Sequence, residues 1–326
     1  MKTLILLLAV LASTAALAIP EQDLRREWRE TVLPFFDTLT AGELRNRQGL
    51  RVAFFTRVRP EHRKVLVVLP GRTEPARKYA EVLYDLRNDG FDLVILDHQG
   101  QGDSERLLAD TQKGHVVRFD DYVRDLEQLM AEVVRPLGKD VYVLAHSMGG
   151  TIAARYLNRN PGIVKKAVLA APMLQINTDP YNETVARAYA RLLVLLRKGA
   201  TYAPGRGPYV VVPFPENTVT HSEVRYEVEP ALVEERPELA VGGPTARWVR
   251  ESLKVTRHID RARITTPVLL LQAGEELVVV NDRQNSFCRA SFCRMIRFPS
   301  AKHEILMETD AIRDRAFAEF RKFLND

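Results

Sequence analysis

The chain has 326 residues, 46% of them hydrophobic and 27% charged, and a formal net charge of +5 at pH 7. That composition suits one large globular domain with an insertion, or two smaller domains, and excludes a disordered or fibrous chain. Basic residues are mixed with acids throughout and no aromatic-plus-basic recognition module occurs, which argues against a nucleic-acid partner; the mild positive charge suits either peripheral contact with an anionic membrane surface or an ordinary solvated exterior.

The N-terminus reads differently from the rest. Lys2, the apolar run from Leu4 through Leu11 and the closing Ala16-Leu17-Ala18 are the charged, apolar and A-x-A parts of a secretory signal peptide over 1–18. The apolar stretch is short for a bilayer span of about 20 residues, and no cysteine stands near it to take a lipid. The expectation is an exported protein, periplasmic or associated with a membrane surface. Export bears on Cys288 and Cys293. In an oxidising compartment they could close a short loop as a disulfide, but their geometry decides between bridge and free thiols. Neither has a metal-site partner pattern, and no metal or cofactor is expected.

Polar helix-forming sequence begins at Glu21, and Arg51 to Val58 reads as a strand. Val65 to Leu69 is a short continuous apolar run ending in Pro70-Gly71, as a buried parallel strand should be. A helix is expected from Pro75 to about Asn88, closed by Gly90. Phe91 to Leu96 is the next strand, Asp97 to Ser104 a glycine-bearing loop, and Phe119 to Val134 another helix. The strand Asp140 to Ala145 runs into Ser147 and a helix to about Asn158, and Lys165 to Ala171 follows as a strand. Such alternation predicts an α/β fold, a mostly parallel central sheet with helices on both faces. It stops at Pro172. The block 173–258, which includes the proline- and glycine-rich stretch Ala203 to Pro215, reads as an inserted helical cap on a core of 19–172 and 259–326. The pattern then resumes with the strand Pro267 to Gln272, a helix over Asn281 to Ala290, the strand Phe292 to Phe298 and a helix from Asp310 to Phe323. Within the cap, Val185 to Lys198 sets Arg187, Arg191 and Lys198 against Leu192, Leu193, Leu195 and Leu196. That pattern suits a helix covering its own pocket or one lying on a lipid surface.

The chemistry centres on Ala145-His146-Ser147-Met148-Gly149. It is the nucleophile elbow G-x-S-x-G with alanine at the first position, set between an apolar strand and a helix. The tight turn lifts the serine above the sheet edge, and small flanking residues keep strand and helix from clashing. A serine hydroxyl needs a base to take its proton. Chain order for such a site is serine, acid, histidine. His62, His98, His115 and His146 precede the serine, and His221 and His258 fall in or beside the cap. His303 follows the last strand and is the candidate base. The acid belongs in the loop Ala273-Gly274-Glu275-Glu276-Leu277, with Glu275, Glu276 and the later Asp282 as candidates. Two N–H donors are needed for the oxyanion: those of Met148, after the serine, and of Arg72, after the Val65 strand. The Asp97 to Ser104 loop reads as a brace for the strand ends.

These strings resemble bacterial lysophospholipases of the PldB type, relatives of monoacylglycerol lipases within the α/β hydrolases. The resemblance lies in Pro70-Gly71-Arg72, Asp97-His98 with Gly100-Gln101-Gly102, and Leu144 to Gly150. It extends to Ala170-Ala171-Pro172-Met173, Thr220-His221-Ser222, Val241-Gly242-Gly243-Pro244-Thr245 with Trp248 to Ser252, Leu269 to Ala273, and His303 to Leu306. The resemblance implies an α/β-hydrolase fold and hydrolysis of a fatty-acyl ester in a lysophospholipid or monoacylglycerol by a Ser-His-Glu triad. It puts the acid at Glu276, four residues after Gln272. Gln99 stands where relatives usually have arginine, and Leu277 and Val280 where polar residues are common beside the acid. A general carboxylesterase or peptidase is the nearest rival, and a non-catalytic binding protein on the same scaffold the remote one.

Overall fold

The computed structural model describes residues 18–259 and 262–326. All but the last residue of the expected leader lie outside them. Strands β1 (Thr40–Arg45), β2 (Arg51–Arg57), β3 (Lys64–Leu69), β4 (Phe91–Leu96), β5 (Asp140–His146), β6 (Val164–Ala170), β7 (Val268–Ala273) and β8 (Cys293–Phe298) form one sheet. Its order is β1-β2-β4-β3-β5-β6-β7-β8. The pairs β1–β2 and β2–β4 are antiparallel and the remaining neighbours parallel. The fold class is therefore as the alternation predicts. The hairpin partner β1 was not read from the sequence: Thr40 to Arg45 is mostly exposed and has no apolar alternation to mark it.

The helices are α1 (Glu21–Glu27), α2 (Leu33–Asp37), α3 (Ala80–Leu86), α4 (Phe119–Leu129), α5 (Met148–Arg159), α6 (Glu183–Leu195), α7 (Glu223–Tyr226), α8 (Val228–Glu235), α9 (Ala246–Thr256), α10 (Asn281–Ala290) and α11 (Asp310–Asn325). Alternate residues of the inner strands feed two core layers. Leu66, Val68, Leu93, Ile95 and Leu144 pack with Leu83 and Leu86 of α3 and Phe317 and Phe320 of α11. Val65, Val67, Leu69, Val94 and Val143 pack with Leu126 of α4, Ile152 of α5 and Phe287 of α10. Because both faces are covered, these strands read as unbroken apolar runs. Helix starts are marked locally: the Asp121 carboxylate accepts from the Arg118 N–H at 3.0 Å at the head of α4, and the Thr245 hydroxyl accepts from the Trp248 N–H at the head of α9.

Two features position the site. First, the chain leaves β3 for β4 on one side and returns with β5 on the other. The carboxyl ends of β3 and β5 thus flank a topological switch point, where crevices open in α/β sheets. Second, α6 to α9 all lie between β6 and β7. Their segment is tied back to the core by Gly114 N–H to Gly243 O at 3.1 Å, Gly242 N–H to Gln112 O at 2.7 Å and Glu304 N–H to Val219 O at 2.8 Å. Cys288 of α10 and Cys293 of β8 are joined in a disulfide.

Candidate active site

Ser147 follows β5 with φ 48° and ψ −115°, a backbone conformation costly for a residue with a Cβ. Neighbours hold it there. Its N–H donates to Ala170 O at 3.1 Å, and its carbonyl accepts from Gly150 and Met173 N–H groups, each at 2.9 Å. The two glycines that follow are dictated by close approach. A Cβ at 149 would lie 2.2 Å from Leu69 O, and one at 150 would lie 2.5 Å from Pro172 Cβ. The end of β3 and the start of α5 can therefore touch only across glycine. Ala145, where the elbow pattern has its first glycine, is itself buried.

The structure brings Ser147, His303 and Glu276 together. Ser147 Oγ lies 2.9 Å from His303 Nε2, and His303 Nδ1 lies 2.7 Å from Glu276 Oε2. With Nδ1–H donating to the carboxylate, Nε2 is left to accept from the hydroxyl. The other carboxylate oxygen of Glu276 accepts from the Val278 and Val279 N–H groups at 2.8 and 3.2 Å. Burial alone would raise the Glu276 pKa. The hydrogen bond and charge of His303, with those two N–H groups, outweigh it and hold the carboxyl below its ordinary value. His303 and two main-chain donors do this holding, with no side chain of residues 277–280 taking part. Of the rival acids, Glu275 turns to His221 Nε2 at 3.2 Å, and Asp282 sits in the first turn of α10.

The loop after β3 lies alongside. Among the described residues, neither the Met148 nor the Arg72 backbone N–H has a hydrogen-bond partner. The loop is pinned by Gly71 N–H to Glu74 Oε2 at 2.5 Å and Thr73 N–H to Gln101 Oε1 at 3.2 Å. The Gln101 amide donates to the Gly71 and Glu74 carbonyls at 2.8 and 2.9 Å. Asp97 accepts from the Ala76 and Asp103 N–H groups at 2.6 and 2.8 Å. The Asp97 to Ser104 loop therefore braces the strand ends. Gln99 reaches Asp125 at 2.7 Å.

Sequence reasoning set His146 aside on chain order and passed over its partners. The structure places it in a buried charge cluster beneath the site. His146 Nδ1 donates to Glu74 Oε2 at 3.0 Å and Nε2 to the His303 carbonyl at 3.3 Å, with the two imidazoles 4.8 Å apart. Both ring nitrogens face acceptors, which suits the cation. Burial opposes that charge, but Glu74 prevails and raises the His146 pKa. Lys78 Nζ reaches Glu74, Glu229 and Glu304 at 3.1, 3.0 and 2.7 Å. Those carboxylates outweigh burial and lift the Lys78 pKa well above its ordinary value. Glu74 is likewise held well below its own, against the cost of burial. The available signal was the Glu74–Lys78 spacing of four residues beside a strand end; the other members are far apart in sequence. Of the remaining histidines, His98 donates to Pro70 O at 3.0 Å and is pushed by burial down to about 4. His115 meets the Thr245 hydroxyl at 2.9 Å, and burial pushes it to about 4 as well.

Residues 60–310 match the family described as serine aminopeptidase S33. Lysophospholipase L2 of Escherichia coli K12 is 40% identical over 285 residues, covering 83% of each chain. The probable lysophospholipase L2 of Haemophilus influenzae is 31% identical over 303 residues, covering 90% of this chain and 95% of the relative. Among solved structures, a soluble variant of the Saccharomyces cerevisiae monoglyceride lipase in complex with a substrate analogue superposes with a TM-score of 0.69. That match has 16% identity and covers 88% of this chain and 94% of the other, a likeness of fold. The chain belongs to the serine aminopeptidase S33 family and is an ester hydrolase with the α/β-hydrolase fold.

Proposed function

We propose that this member of the serine aminopeptidase S33 family hydrolyses the fatty-acyl ester of a lysophospholipid, with Ser147 as nucleophile, His303 as general base and Glu276 as its partner. The observation that carries the reading is the line from Ser147 Oγ through His303 to Glu276, with contacts of 2.9 and 2.7 Å. His303 Nε2 takes the hydroxyl proton as Oγ attacks the ester carbonyl. The Met148 and Arg72 N–H groups receive the oxyanion. The alcohol leaves with the proton from His303, and an acyl group stays on Ser147. Water, deprotonated by the same nitrogen, then releases the fatty acid. Glu276 fixes the tautomer and stabilises the imidazolium. The names of the bacterial relatives favour a lysophospholipid; a monoacylglycerol carries the same ester without the phosphate and is the second reading.

The segment 173–258 is read as a cap over this site. On α6, Val185, Tyr189, Leu192 and Leu195 are all exposed, as is Leu196 just after it, while Ala190 is its buried residue. The leucines therefore do not simply cover a pocket. With exposed Arg191, Arg197 and Lys198 beside them, they suit peripheral contact with an anionic lipid surface. The leader reading of 1–18 supports export to the periplasm, and the Cys288–Cys293 disulfide fits an oxidising compartment.

The test is fatty-acid release from lysophosphatidylethanolamine and from monoacylglycerol by the purified protein, with Ser147→Ala as control. Serine-dependent release from the lysophospholipid is expected, and the variant should fall by roughly four to six orders of magnitude. Near-normal turnover by Ser147→Ala would sink the mechanism. Release from monoacylglycerol alone would replace the substrate.

A further inference from the structure

We infer that the Arg72 guanidinium is a phosphate-binding group of this ester site and selects phosphate-bearing lysolipids over uncharged monoacylglycerols. The inference rests on the lysolipid reading above and names the group that would recognise the headgroup. It starts from a contrast between half-buried Arg72 and the buried cations Lys78, Arg225 and Arg313. Lys78 has three carboxylates, Arg225 pairs with Glu81 and Asp310 at 3.0 and 2.7 Å, and Arg313 pairs with Asp85 at 2.5 Å. Arg72 pairs with no carboxylate among the described residues. Its Nη1 donates to Gly242 O at 3.0 Å, and its guanidinium carbon sits 5.4 Å from the Trp248 ring. Its other guanidinium N–H groups have no partner among the described residues.

The environment makes that solitude informative. Burial, the largest influence, pushes the Arg72 pKa down to about 10, so the group is partly desolvated yet still a cation at neutral pH. The side chain nevertheless keeps some contact with solvent. A second cation stands close enough to act on it: Arg206 lowers the Arg72 pKa further, and its Cβ packs against Gly243, across the turn whose carbonyl Arg72 holds. The acid that acts on Arg72, Glu229, is already committed to Lys78. A half-buried cation without a counter-charge has room for an anionic ligand, and a planar guanidinium matches phosphate oxygens in pairs.

Its place relative to the chemistry fits. The Arg72 backbone N–H is the proposed oxyanion donor, so its side chain starts where the ester carbonyl would sit and ends one side chain's length away. In a lysophospholipid the phosphate is removed from the acyl carbonyl by the glycerol carbons, a comparable span. One residue would then read both ends of the substrate, the main chain holding the oxyanion and the side chain the phosphate. Gly242, inside the cap segment, orients the guanidinium.

The experiment compares Arg72→Met and Arg72→Lys with wild type on lysophosphatidylethanolamine and on a monoacylglycerol of the same acyl chain, in one micelle host. The readout is the ratio of the two kcat/KM values, which cancels damage common to both substrates. Arg72→Met should lower the ratio about 10- to 100-fold, mainly through KM, as loss of a hydrogen bond to a charged group would. Arg72→Lys, which keeps the charge, should recover most of it. Equal losses on both substrates would overturn the inference and leave Arg72 as a loop tether. A second assay is independent of which lipid is the true substrate: inhibition of short-chain nitrophenyl ester hydrolysis by glycerophosphoethanolamine. An inhibition constant raised about tenfold or more in Arg72→Met supports the phosphate contact. Equal constants in variant and wild type overturn it, even if the lysophospholipid reading stands.

Discussion

Lys78→Met removes the shared cation of the buried cluster. Its Nζ lies 3.1, 3.0 and 2.7 Å from Glu74, Glu229 and Glu304, and the Lys78 and Glu74 side chains are each only 4% exposed. Methionine keeps the stem and drops the charge, leaving three carboxylates without their shared cation and only Glu74 in contact with the imidazole of His146. Breaking one buried pair costs about 3–5 kcal/mol. Three such breaks do not simply add, because a stranded carboxylate takes up a proton instead. That makes the loss dependent on pH, and its sign follows. In wild type, Glu74 is held well below 4.5, so its contribution is present above that value and is lost only as pH falls through the lowered one. In the variant, a stranded carboxylate has a folded pKa above 4.5. Stability therefore falls as pH rises past 4.5, by up to about 1.4 kcal/mol per pH unit for each proton, until the raised value is passed. The difference between the proteins is already present at pH 5, where the Glu74 contribution of wild type is in force, and should widen from there to reach at least about 3–5 kcal/mol by pH 8. Urea unfolding of both at the two pH values measures it, with equal denaturant slopes required. A loss under about 1 kcal/mol at pH 8, or one that does not change with pH, would refute the reasoning.

Gly149→Ala should destabilise the fold by about 3 kcal/mol or more and abolish labelling by a fluorophosphonate, because the new Cβ meets two main-chain oxygens, Leu69 O at 2.2 Å and Pro70 O at 2.6 Å. Thermal unfolding and labelling check it together. Glu276→Gln should leave the fold intact and cut kcat roughly 10⁴-fold, since an amide neither fixes the His303 tautomer nor stabilises its cation. The same variant bears on acid stability. Glu276 is held below 4.5, so its contribution is present above 4.5 and lost as pH falls through the lowered value. The variant should show a shallower loss of stability across that window in unfolding measured from pH 5 to 3.

The sheet was legible because its inner strands are buried on both faces. Val65 to Leu69 and Phe91 to Leu96 carry that burial as unbroken apolar runs. β1 was not, since an exposed edge strand such as Thr40 to Arg45 asks little of its side chains. Ser147 and His303 stood out because the proposed chemistry needs a turn and a chain order that local sequence records. Glu276 was less distinct from Glu275: one residue's shift in a loop decides which carboxylate meets His303 and which meets His221, and no local pattern encodes it. On α6 the helix could be read but not its surroundings, because outward leucines and pocket-lining leucines share one periodicity.

The charge cluster is where the sequence was least readable, for a physical reason. Glu74 comes from the loop after β3, His146 from the end of β5, Glu304 from the loop that carries His303, and Glu229 from α8 in the segment between β6 and β7. Each alone resembles an ordinary surface charge. Together they join four separate pieces of chain around Lys78 and His146. An apolar core at this place could supply comparable burial, but it would not specify direction. Here Glu74 accepts from Gly71 N–H at 2.5 Å, from the Tyr79 hydroxyl at 2.7 Å and from His146 at 3.0 Å. His146 in turn donates to the carbonyl of His303. The loop after β3, the end of β5 and the loop that carries His303 are thereby fixed to one another by directional bonds, each of which weakens steeply when misaligned. A site that needs several groups in register within a fraction of an ångström gains from such bonds what hydrophobic burial does not provide. Loosening the cluster should therefore reach turnover through geometry as well as through stability.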